Sequence, residues 1–130
     1  MAGVVNKHYA ISPLVADFND DGYPDLVWVN LDGPVRAFLN EGGDAHYLKV
    51  KLPDAPESLG AIVRVTTGDG QTLTRHLVSN EGLLSEQSHV LIFGLGDVAS
   101  VSRVEVTPLF GQKRTIDSPD IDTTLSVALD

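Results

Sequence analysis

The stretch Asp17-Phe18-Asn19-Asp20-Asp21-Gly22-Tyr23-Pro24-Asp25 crowds four carboxylates into nine positions. Like charges this close repel by about 1 kcal/mol per adjacent pair even in water, so a folded chain gathers them where a cation compensates or where they splay into solvent. Oxygen donors alternate at Asp17, Asn19 and Asp21, Gly22 permits a sharp bend, and the Tyr23 carbonyl and Asp25 follow. Such a hard oxygen shell suits Ca²⁺, which takes about six to eight ligands, better than Mg²⁺, which demands a tight octahedron. The predicted metal ligands are therefore Asp17, Asn19, Asp21, Tyr23 through its carbonyl, and Asp25, with a solvated acidic turn as the alternative. An EF-hand is a poor match. The twelfth position counted from Asp17 is Trp28, which cannot supply the bidentate carboxylate, and Pro24 would disrupt a helix there.

The elements that must position this loop read as strands. Short apolar or alternating runs at 26–29, 35–39, 47–52, 61–65, 73–78, 90–95, 101–106 and 125–129 are of strand length. Leu48, Val50 and Leu52 interleave with Lys49 and Lys51, and Leu125, Val127 and Leu129 with Ser126 and Ala128, so each run has a packed face and a wet one. On that reading Lys49, Lys51, Arg64 and Arg75 form the solvated side of a sheet, and Trp28 packs into a core. Breakers such as Asp32-Gly33-Pro34, Gly42-Gly43-Asp44 and Gly68-Asp69-Gly70 punctuate the runs at the spacing of an all-β protein, with no convincing helix. The calcium loop is then flanked by strands at 14–16 and 26–30. Residues 61–67 should pair with 71–78 across a primed two-residue turn at Asp69-Gly70.

Composition narrows the function. The 130 residues carry a formal charge of −9 and no cysteine, with 42% hydrophobic and 21% charged side chains. That is ample for one packed core and excludes disulfides, thiolate metal sites and a cysteine nucleophile. The acidic excess, without a lysine or arginine cluster, argues against nucleic acid. No apolar run approaches a membrane span, and the opening residues lack the pattern of a signal peptide, so neither membrane insertion nor an export signal is expected within this chain.

Weaker signals resolve into structure rather than chemistry. Gly94-Leu95-Gly96-Asp97-Val98-Ala99 fits a dinucleotide fingerprint, but the following residues alternate as a strand where a helix must open, so a tight turn is expected. His8, His46, His76 and His89 have no metal-binding spacing, although His76 and His89 could meet across paired strands. Ser85-Glu86-Gln87-Ser88 should cap strand ends. Catalysis is not indicated.

Residues 11–17 and 25–30, followed by Phe38-Leu39-Asn40-Glu41-Gly42-Gly43, resemble an FG-GAP (VCBS-type) repeat, a blade unit of integrin-like propellers. The resemblance implies calcium ligands at Asp17, Asn19, Asp21, the Tyr23 carbonyl and Asp25, the family loop having the form DxDxDGxxD with Asn allowed second. Tyr47 to Leu52, Leu59 to Val65, Ser85 to Ser88, Phe93-Gly94-Leu95-Gly96 and Val101 to Val106 are similar to the ASPIC/UnbV domain, which commonly follows FG-GAP repeats. The expected architecture is a calcium-loop hairpin or partial blade over 1–45, docked on a compact antiparallel β-sandwich over 46–130. The expected function is a calcium-stabilised, extracellular or cell-surface interaction or adhesion module with a protein or glycan partner. An exposed edge strand offers self-association. An accessory carbohydrate-binding domain of a secreted enzyme is the alternative.

Overall fold

The computed structural model describes residues 4–80 and 86–129. Among these described residues ten strands follow in order: β1 (Ala10–Ala16), β2 (Asp25–Asn30), β3 (Arg36–Phe38), β4 (His46–Lys51), β5 (Ile62–Thr67), β6 (Thr72–His76), β7 (Val90–Gly96), β8 (Val101–Thr107), β9 (Arg114–Asp117) and β10 (Thr124–Ser126). One 3₁₀ turn, Pro56–Ser58, interrupts them. The all-β expectation holds because β-branched and alternating runs are cut every few residues by glycine, proline and aspartate.

Three sheets form, with strand orders β1-β2-β3, β10-β4-β7 and β6-β5-β8-β9. The second and third enclose one core, to which β4 gives Leu48 and Val50, β5 gives Val63 and Val65, β7 gives Phe93 and β8 gives Val104 and Val106. Each such side chain withdrawn from water stabilises the fold by about 1.5–3 kcal/mol. All pairings are antiparallel except that of β10 with β4, which runs parallel, Leu125 opposite Val50. β9 was not legible, being four residues long with no apolar run, whereas β10 falls on the run expected at 125–129 and only its parallel pairing with β4 was not anticipated.

The first sheet is built differently. None of its residues belongs to the sandwich core, and its buried side chains are the polar Ser12, Asp25 and Asn30. Trp28 is only half-buried and meets Phe38 edge-on at 5.5 Å rather than entering a core. Val15, Phe18, Leu31, Val35 and Leu39, in or beside this sheet, stay exposed.

Other expectations need correction. Lys49 is not on a wet face: it is 6% exposed, because the acidic loop covers that side of β4. The β5–β6 hairpin forms with Ile62 opposite His76, but its turn is not primed. Gly70 N–H donates to the Thr67 carbonyl and Gly70 alone takes a left-handed φ of 90°, the form of a type I turn closed by a glycine bulge. The Thr67 hydroxyl donates to Asp69 at 2.5 Å and Gly68 N–H to the Ser100 carbonyl, which holds the tip in that shape. His76 and His89 do not sit on paired strands: His76 ends β6, whereas His89 lies in the bend before β7, a strand of another sheet, 3.3 Å from Asp54. Gly94 to Gly96 end β7 and the chain turns at Asp97 toward β8, so no helix opens there, as expected. Ser88 Oγ accepts the N–H of Val90 and so caps β7, while Ser85 lies outside the described residues.

Candidate metal centre

The antiparallel register sets Ala16 opposite Asp25, so residues 17–24 close a hairpin between β1 and β2. Asp17 organises it. Its Oδ1 accepts the N–H of Asp21 at 3.0 Å and its Oδ2 that of Gly22 at 2.8 Å. Asp21 repeats the device, Oδ1 accepting the N–H of Tyr23 at 2.9 Å and Oδ2 the side-chain amide of Asn19 at 2.8 Å. Short acidic side chains turn the backbone by this means, and they tolerate the left-handed φ of 59° that Asp20 adopts.

Asp25 sits beneath the loop at 1% exposure. A carboxylate so buried must have its oxygens bonded, and Oδ2 accepts the N–H of Phe18 at 2.8 Å while Oδ1 accepts that of Asn40 at 2.7 Å. The Tyr23 hydroxyl reaches the carbonyls of Gly43 and Ala45, at 2.6 and 2.7 Å. Gly22 is pressed on the Tyr47 ring: a Cβ there would lie 2.1 Å from Cε1.

Lysine 49 is the participant that sequence reasoning missed. From β4 its Nζ donates to Asp17 Oδ2 at 3.0 Å and to Asp20 Oδ1 at 2.5 Å. Burial by itself would raise the Asp17 carboxyl, but the Lys49 hydrogen bond, the Gly22 N–H, the lysine charge and the Asp21 N–H outweigh it and hold the carboxyl below its ordinary value. Burial would likewise depress Lys49, and the hydrogen bonds and charges of Asp20 and Asp17 raise it instead. A loop of four carboxylates needs a compensating cation, and that requirement was the only signal pointing to a lysine on a neighbouring strand.

Asp17, Asn19, Asp21 and Asp25 thus share one small hydrogen-bonded loop with the Tyr23 backbone. Among the described residues no three acidic or histidine side chains stand close enough together to enclose a metal ion as placed. The donor chemistry nevertheless suits a hard cation. All the side-chain donors are oxygens, and Asp17 Oδ1, Asp21 Oδ1 and both oxygens of Asp25 each accept one hydrogen bond where two are accommodated.

Residues 53–129 match the family model described as ASPIC and UnbV, more than half of the chain. The chain belongs to the ASPIC and UnbV family. The ASPIC and UnbV match spans β5 to β10 and most of the sandwich core. Residues 17–71 match the model of an FG-GAP-like repeat, which begins at Asp17 and overlaps the ASPIC and UnbV match over 53–71. The order anticipated from the residues, an FG-GAP-like unit and then ASPIC and UnbV, is therefore found. FG-GAP-like repeats are extracellular-type modules that commonly bind calcium. A search of curated proteins gave no match. Among the described residues no helix is long and apolar enough to cross a membrane.

Proposed function

We propose that this chain is a calcium-stabilised, extracellular or cell-surface interaction and adhesion module without catalytic activity. The observation that carries the reading is the loop itself, in which Asp17 and Asp21 bend the backbone around their own carboxylates and Asp25 anchors it from below. Asp17, Asn19, Asp21, the Tyr23 carbonyl and Asp25 would hold the ion. Bound calcium supplies positive charge that neutralises the crowded acids and ties the β1–β2 hairpin into one conformation. Extracellular modules of this kind bind at about 10⁻⁴–10⁻³ M, which suits a compartment rich in calcium.

The interaction part of the reading is supported by the first sheet. Val15, Phe18, Leu31, Val35 and Leu39 are exposed in or beside it, an apolar surface of the sort that marks protein contacts. Its outer strand β3 pairs with β2 alone among the described strands, which leaves a backbone edge for a further strand, including that of a second copy.

Thermal unfolding with millimolar calcium and with EDTA tests the metal. The midpoint should rise by several degrees in calcium, and Asp21→Ala should abolish that rise while changing the EDTA midpoint little. Coincident midpoints for the unaltered chain would refute it. Light scattering over a concentration series tests the edge, with a mass independent of concentration counting against self-association.

A further inference from the structure

The buried ammonium of Lys49 lies where the acidic loop meets β4, bonded at once to Asp17 and to Asp20. Asp17 Oδ2 already accepts the N–H of Gly22, so the lysine completes its two acceptor positions. A metal ion bonded to that oxygen needs the position the ammonium holds. An ion at about 2.3–2.6 Å from the oxygen would also stand within a few ångströms of a like charge in a partly buried site, where water screens poorly. An ion seated instead on the open position of Asp17 Oδ1 would still share one carboxylate with the ammonium, so charge repulsion sets the two cations against each other at either oxygen.

We infer that Lys49 and a divalent cation are alternative occupants of the Asp17 carboxylate, so that Lys49 sets the calcium concentration at which the loop fills. The inference rests on the calcium reading above and adds the residue that tunes it. Without metal the lysine neutralises the loop and fastens it to β4, which explains why a charged side chain is buried on that strand. When metal enters, the ammonium has somewhere to go. A cleft of about 230 Å³ opens beside it, lined by Asp17, Asp20, Lys51, Ser88 and Thr124. Asp20, whose side chain is 90% exposed and which is outside the donor set, can follow the lysine into water as its counter-ion. The loop thus exchanges an internal monovalent cation for an external divalent one and remains closed in both states.

Calorimetric titration of calcium into the full chain and into Lys49→Met, which keeps an unbranched stem without the charge, reads this directly. Lys49→Met should bind calcium at least about tenfold more tightly, and its unfolding midpoint in EDTA should fall below that of the unaltered chain. Equal affinities would overturn the inference and leave the calcium reading standing. Absence of binding in both proteins would remove the calcium reading, and this inference with it. Should Lys49→Met fail to fold, acetylation of the unaltered chain followed by mass spectrometry gives a second readout. Lys49 should be protected relative to Lys51 in EDTA and become reactive in saturating calcium; protection that persists while calcium binds would overturn the exchange.

Discussion

Asp25 Oδ1 accepts the backbone N–H of Asn40 at 2.7 Å, so the first residue of β2 holds the chain where it leaves β3. Its second oxygen holds Phe18 in the acidic loop, and one buried carboxylate thereby ties the chain leaving β1 to the chain leaving β3 at the same end of the first sheet. Asp25→Ala leaves two amides without their acceptor, and a loss of about 2–4 kcal/mol is expected, confined to that sheet. Trp28 lies on β2 and is the single tryptophan, so its fluorescence should report early local unfolding while far-ultraviolet dichroism still registers the folded sandwich. A single coincident transition would contradict this.

Gly22 and Gly70 both adopt φ of 90°, yet their surroundings differ. A Cβ at Gly70 meets nothing within 4 Å, whereas at Gly22 it would strike the Tyr47 ring. Gly70→Ala should therefore cost only the left-handed backbone penalty, about 1–2 kcal/mol. Gly22→Ala adds an overpacking cost of about 1–3 kcal/mol and pushes the loop off β4. Denaturant unfolding of the two variants should show the larger loss in Gly22→Ala, and that variant alone should expose Lys49 to acetylation.

Two phenylalanines provide a contrast in burial. Phe93 on β7 is 1% exposed within the sandwich core and Phe110, between β8 and β9, is 82% exposed. Phe93→Ala should destabilise by about 3–5 kcal/mol. Phe110→Ser should stay within about 0.5 kcal/mol of the unaltered chain in the same urea titration.

Asp122 governs part of the response to acid. Its Oδ1 accepts the Tyr47 N–H at 3.1 Å and its Oδ2 faces His46 Nδ1 at 2.8 Å, which together hold its carboxyl below the ordinary value. A depressed folded value means stability that is present above the unfolded carboxylate range, near 4, and lost as pH falls through the folded value. Asp122 is nearly half exposed, so solvent screening keeps the effect modest. Asp122→Asn, which tolerates the left-handed φ of 54°, should narrow the difference in midpoint between neutral and acid solution. An unchanged acid profile would show that the contact carries no linkage.

Local pattern was enough to place most strands and the loop. Leu48, Val50 and Leu52 alternate with their neighbours, and the breakers at Asp32-Gly33-Pro34 and Gly68-Asp69-Gly70 end runs in the sequence as they do in the fold. The acidic loop was legible for the same reason, since Asp17, Asn19, Asp21 and Asp25 lie within nine positions that the β1–β2 register closes into one hairpin. Lys49 was not. Alternation says which side of β4 opposes Leu48, but only the docked loop decides that this second side is dry.

What the chain's residue order determined by itself was therefore whatever depends on near neighbours: period two, turn chemistry and the acidic loop with its oxygen donors. The tertiary structure decided the parallel pairing of β10 with β4, the burial of Lys49 and the contact of Gly22 with Tyr47. Each of these joins segments far apart in the chain. Their free energy comes from packing and charge neutralisation that no short window of sequence contains.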